Sequence, residues 1–224
     1  MLKHDYILRL IEQIARVFAR LLQRLAGEPQ RELEEELDRA LQDLSGLSLD
    51  LVQTLSLQGL LEVLRAGGEP DVARALAVAE MLYLHALVRE RQGDGARAHG
   101  DRVRALTLYL EVLLAFRHER LAAATGRAEE LVEALRGSEL PDPTLTRLFR
   151  YLEVTGRLAR AEDVLFEMVE RGTGGEQVIA DGIAFFARLL EMDDAALEAG
   201  DLPREEVMEG LAQLRDRAGR SGER

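Results

Sequence analysis

The chain has no cysteine and no tryptophan, and only four tyrosines and six phenylalanines among 224 residues. Without cysteine, a disulfide framework, a thiolate nucleophile and a cysteine-ligated zinc or iron-sulfur site are all excluded. The scarcity of aromatics and the scatter of β-branched residues leave no strand pattern, whereas the strong helix formers Ala, Leu, Glu and Arg dominate. Lysine is almost missing too: Lys3 is the only one among 29 basic residues, and the arginines are spread too evenly to mark a site. Long apolar runs are absent. The most apolar stretch, Ala75 to Val88, is broken by Glu80 and His85 and falls short of the ~20 residues that a bilayer crossing requires. Residues 1–18 carry Lys3, His4, Asp5, Arg9 and Glu12 and no small-residue cleavage site, so the expectation is a cytoplasmic protein. A net charge of -12 opposes a phosphate backbone, which argues against nucleic acid as a partner.

What is present is helical periodicity. Ile7, Leu10, Ile11, Ile14, Val17, Phe18, Leu21, Leu22 and Leu25 form a stripe that Gly27 ends. A second, acidic helix follows Pro29 and stops at Gly46. Residues 1–26 hold five basic groups against two acidic ones, and residues 28–43 seven acids against two arginines, so this first hairpin is charge-complementary. A short helical turn and a helix capped at Ser56 lead to Gly67-Gly68, and Pro70 opens a long helix to about Gln92. From Ala96 to Thr125 no proline intervenes, which predicts one continuous helix. Further helices follow the break "SELPDPT", near 143–155, 157–171, 175–192 and 203–217. The expected organisation is a helical domain over 1–137, further hairpins with a capping helix over 138–217, and a disordered tail over 218–224.

The glycines Gly27, Gly93, Gly126 and Gly156 lie 66, 33 and 30 residues apart, close to multiples of a helix-turn-helix unit. Small residues follow two of them at the same offset, Ala98 after Gly93 and Ala161 after Gly156. The spacing predicts an all-α, tetratricopeptide-like superhelix of stacked antiparallel hairpins with about ten helices and no β-sheet. The segments "MLKHDYILRLIEQIAR", "DRALQDLSGLSLDL" and "LSLQGLLEVL" sharpen this. At Asp5, Tyr6, Ile7, Arg9, Ile11 and Glu12 the chain resembles an uncharacterised bacterial family of tetratricopeptide-like proteins, a domain of unknown function, over residues 1–117. That resemblance implies a fold and no established activity.

Chemistry is hard to find. None of the four histidines stands in a zinc-binding helical pair, and there is no nucleophile elbow, P-loop or dinucleotide fingerprint. Neither an enzyme, a metal site nor a cofactor is expected. Related repeats carry aromatics four residues before the turn glycine and nine after it, where this chain has Arg89 and Arg102. Two guanidiniums are too costly to bury unpaired, so either carboxylates such as Glu90 or Asp101 neutralise them, or the seam opens to solvent or a ligand. Leu82, His85, Ala86, Arg89 and Arg102 are the candidate partner-binding residues of a non-enzymatic protein-interaction or scaffold module. The first helix is apolar at four of seven heptad positions, wider than one packed face requires. Either a later helix folds back on it, or a second copy covers Ile7, Leu8, Ile11, Ala15, Phe18 and Leu22 in a homodimer.

Overall fold

The computed structural model describes the backbone of residues 2–25, 27 and 29–221 and the side chains of residues 5–25, 27 and 29–219. It is all-α: the described residues form twelve α-helices, one 3-10 turn and a ladder of two residues per strand. The chain divides into two compact units, Met1–Pro143 and Thr144–Arg224, and the division falls in the Pro-rich break a few residues beyond the expected one.

In the first unit, α1 (Leu2–Arg24), α2 (Gln30–Ser45), α3 (Leu49–Thr54) and α4 (Leu57–Val63) lead to the long pair α5 (Val72–Arg91) and α6 (Gly95–Ala115), and α7 (Ala122–Ala134) follows. Local chemistry sets most of these ends. Ser48, Ser56, Asp71 and Asp94 each accept a hydrogen bond from the backbone N–H three residues on, an N-cap worth about 1 kcal/mol apiece. Pro70 therefore stands before α5, outside it. It pairs with Arg65 across Gly67-Gly68, whose φ values of 64° and 88° suit a tight hairpin turn. This short ladder corrects the expectation of a strand-free chain.

The centre of the unit is α5, with fourteen of its twenty residues buried. It packs against α1 and α2 on one side and α6 on the other. A helix enclosed this way must be apolar around its whole circumference, which is why Ala75 to Val88 shows no clear polar face. The α5–α6 turn is closed by Gly93 (φ 78°), whose N–H donates to Glu90 O, and by Asp94 N–H donating to Arg89 O. The same turn recurs in the second unit: Gly156 (φ 74°) donates to Glu153 O and Arg157 to Leu152 O. Ala98 and Ala161 are each fully buried after their turns, as the shared offset predicts.

Gly126 breaks the expected rhythm. It lies inside α7, and Ala96 to Thr125 is not one helix. Phe116 is extended (φ -142°, ψ 100°) and ends α6, its ring stacked on His118 at 5.7 Å. His118 then accepts from Arg120 N–H and starts the 3-10 turn Glu119–Leu121 that feeds α7. A histidine acting as cap gave the sequence no proline or glycine by which to show the break.

This re-entry settles much of the surplus on α1. The Glu119–Leu121 turn packs on α1, Arg120 pairs with Glu12, and the Arg127 guanidinium lies 4.2 Å over the Phe18 ring. Ile11, Ile14, Phe18 and Leu21 are buried, so Ile11 and Phe18 belong to the unit's own core. Ile7 and Leu8 are half-buried, and Ala15 and Leu22 stay exposed, with Leu22 at 41%; Tyr6, at 62%, is exposed on the opposite side of the helix. Arg20 and Arg24 both pair with Glu36 of α2, in keeping with the charge complementarity of the hairpin.

The second unit comprises α8 (Asp142–Val154), α9 (Leu158–Arg171), α10 (Glu176–Leu190), α11 (Asp194–Ala199) and α12 (Arg204–Ser221). Residues 218–221 are thus helical, and the rest of the expected tail lies outside the described residues. Phe149, Phe185 and Phe186 form its aromatic core, with centroids 5.2 and 5.1 Å apart in successive pairs. Glycines let its helices close in: a Cβ on Gly182 would meet Leu214 and Leu165, and one on Gly210 would overlap the Phe186 ring.

Two substitutions test these contacts. Ala161→Leu and Gly210→Ala should each destabilise the second unit by roughly 1–3 kcal/mol, the cost of overpacking a closed contact. Urea unfolding checks this, and an unchanged midpoint for either would remove that residue from the packed seam.

Candidate functional site

Three residues of one polar network come from α5 and α6. His85 and Arg89 are one turn apart on α5, and Asp101 faces them from α6. Arg89 donates through Nη1 to Asp101 Oδ2 at 3.0 Å and through Nη2 to Gln53 Oε1 at 2.9 Å. His85 Nδ1 lies 2.7 Å from the same Asp101 oxygen and 3.2 Å from Gln53 Nε2. Gln53 is held in place from outside the network, because Arg104 donates to the carbonyls of Val52, Gln53 and Leu55 and so anchors the end of α3 to α6. Burial lowers the Arg104 pKa against the opposing pull of Asp101. Arg102 pairs with Glu90 at 2.5 Å. Both seam arginines are therefore neutralised by the two carboxylates that stand nearest in sequence.

His85, Arg89 and Gln53 line an open cleft of about 590 Å³ bounded by α2, α3, α5 and the start of α6. Its remaining walls include Glu34, Glu35, Asp38, Asp50, Gln92, Asp94 and Arg97. Of the candidate partner-binding residues only His85 and Arg89 reach it. Leu82 and Ala86 are sealed in the core at 0% and 1% exposure, because α5 is enclosed and has no inner face to offer. Arg102 is absent from its walls. The contributions of α2 and α3 were missed because short helices distant in sequence carry no periodic signal linking them to α5.

A second network lies one turn and a half earlier on α5. Tyr109 donates to Glu80 Oε2 at 2.7 Å, Arg127 Nε donates to the Tyr109 hydroxyl at 3.1 Å, and Arg127 also pairs with Glu80 Oε1. Burial raises the Glu80 carboxyl above its ordinary range despite the Arg127 charge and the Tyr109 hydrogen bond. Burial likewise raises Tyr109. Arg127 itself is raised: burial lowers it, but the Glu80 charge outweighs that. Tyr83, donating to Glu130 at 2.9 Å, is pushed up to about 12 by burial and by that carboxylate. The three groups satisfy one another, and the network is a structural one. Its sequence signal was Glu80 itself, since a carboxylate inside a buried helix must find partners.

In the second unit, Glu162, Asp163, Glu167, Glu170, Glu206 and Glu209 surround Phe166 in a cleft of about 430 Å³. Glu162 is pushed up to about 7 by burial, then by the charges of Glu206 and Asp163. Among the described residues no group of carboxylates and histidines could hold a metal ion, and no helix is long and apolar enough to cross a membrane.

These features define an all-α protein with a preformed polar cleft in its first unit. The chain matches the family described as "Family of unknown function (DUF6483)" over residues 1–219, and it belongs to that family. The match takes in the second unit as well, well past the residue-117 limit of the resemblance. No curated protein and no solved structure matches the chain.

Two outcomes follow from the buried charges. Arg127→Met leaves Glu80 without its counter-charge and should cost about 3–5 kcal/mol at pH 8. The cost should shrink at pH 5, where Glu80 can take up a proton, and Glu80→Gln with Arg127→Met should recover most of it. Thermal unfolding at both pH values checks this. For Glu162, the folded pKa is raised above the ordinary 4.5, so the stability it contributes is fullest below pH 4.5 and is lost as pH rises to about 7. Glu162→Gln should therefore leave the thermal midpoint nearly unchanged at pH 4.5 and raise it, relative to wild type, at pH 8.

Proposed function

We propose that this chain is a non-enzymatic protein-interaction module of the tetratricopeptide-like kind, which docks a partner protein or peptide in the first-unit cleft. The observation that carries the reading is the Gln53–His85–Arg89–Asp101 network. It fixes the cleft's floor from three helices in the free protein, so a partner meets an ordered surface without a folding cost at binding. The α5–α6 hairpin, with its glycine turn and buried Ala98, supports the tetratricopeptide-like comparison. The cleft's one hydroxyl side chain, Ser48, caps α3 through Leu51 N–H, which favours binding over nucleophilic chemistry. A charge of -12 favours a protein partner in the cytoplasm over nucleic acid or a membrane surface.

Capture from lysate tests this when the cleft is varied. Wild type and Glu162→Gln should retain the same partner, and Glu35→Arg with Asp50→Arg on the cleft rim should lose it. An identical partner set for wild type and the rim variant would overturn the reading.

A second reading, a self-associating structural homodimer, is favoured by the exposed row of Leu22 and Ala15 on α1. Light scattering at micromolar concentration should then give twice the 25.0 kDa of one chain, reduced by Leu8→Glu with Leu22→Glu. A mass of one chain would dismiss it.

A further inference from the structure

We infer that the cleft receives a cation, the guanidinium or ammonium of a partner's Arg or Lys side chain, with His85 Nε2 as the hydrogen-bond acceptor at its floor. This rests on the docking reading above and adds the partner's chemistry to it.

The first support is charge. Five carboxylates line the cleft, those of Glu34, Glu35, Asp38, Asp50 and Asp94, against the guanidiniums of Arg89 and Arg97. Arg89 is committed to Asp101 and Gln53 through both terminal nitrogens, and Arg97 lies 3.4 Å from Asp94. Glu34 accepts from the neutral amide of Gln92, and Asp38 from Gln42 and the Leu49 N–H. Among the described residues no cation pairs with Glu34, Asp38 or Asp50. A concave wall with an excess of negative charge concentrates its field in the cleft, and that field favours a positive group.

The second support is the imidazole, which is independent of the acidic rim. His85 is 2% exposed, yet it lines the cleft. With the Asp101 carboxylate oxygen at 2.7 Å, nearer than the Gln53 amide nitrogen at 3.2 Å, Nδ1 carries the proton and donates to Asp101. In the neutral ring the lone pair is then on Nε2, and no described residue hydrogen-bonds to it. An acceptor on a ring only 2% exposed that lines the cleft is open to a donor, and the surrounding carboxylates select a charged one. An anion would face the rim carboxylates, and a neutral donor would leave their charge unanswered.

The test uses the full chain at pH 8 with two fluorescein-labelled peptides, Gly-Arg-Gly-Arg-Gly and Gly-Glu-Gly-Glu-Gly, read by fluorescence anisotropy. Ring nitrogen-15 resonances are read alongside, and with only four histidines His85 can be assigned from a His85→Gln sample. The arginine peptide should bind saturably, shift the His85 Nε2 resonance and weaken about tenfold in Glu35→Gln with Asp50→Asn, as the loss of charge-assisted contacts predicts. The glutamate peptide should do none of these. Equal binding of both peptides, no binding of the arginine peptide, or binding that leaves Nε2 unmoved would overturn the cation assignment. If the lysate partner still depends on the Glu35 and Asp50 rim in that case, the docking reading stands and only the partner's chemistry is wrong. If that dependence is missing too, both fall.

Discussion

Enclosure of α5 is the constraint on which the first unit depends. A helix with neighbours on both sides buries its whole circumference, and the hydrophobic gain is large only if every polar group it carries is answered from another element. Glu80, His85 and Arg89 are those groups. Tyr109 and Asp101 answer from α6, Arg127 from α7, and Gln53 from α3. The partners come from segments that are otherwise short or irregular, so the polar residues of α5 register those segments against it. The break at Phe116 belongs to the same logic, because it turns the chain so that α7 brings Arg127 to Glu80 and Phe18.

The two networks on α5 differ in what they leave over. At Glu80 every strong group is consumed: carboxylate, phenol and guanidinium satisfy one another, and the aromatic face of Phe18 covers the cation. At His85 the ring's Nδ1 is spent and its Nε2 is not, and on the adjoining walls Glu34, Asp38 and Asp50 pair with no cation among the described residues. A network that closes on itself specifies packing. One that leaves an acceptor facing a cleft is equipped to meet another molecule, and the assignment of a cationic partner group rests on that difference.

The sequence by itself was enough for the helical class, for the cap at Ser56 and for the two hairpin turns at Gly93 and Gly156, since these follow from nearest-neighbour chemistry within a few residues. It also narrowed the fate of Arg89 and Arg102, because burying a guanidinium demands a carboxylate and Asp101 and Glu90 were the closest at hand. Family membership was legible at the first dozen residues. Tertiary structure alone decided the remainder. Gly126 reads as a turn and is helical, and Leu82 and Ala86 read as an inner face and are core, because exposure depends on how many neighbours a helix acquires and not on its own period. The cleft joins α2 and α3 to residues of α5 and α6 more than thirty positions away, a contact set by packing and by Arg104 bridging to the end of α3. Short-range propensity determines which segments coil; which side chains meet across them is a property of the assembled core, where long-range burial overrides local pattern.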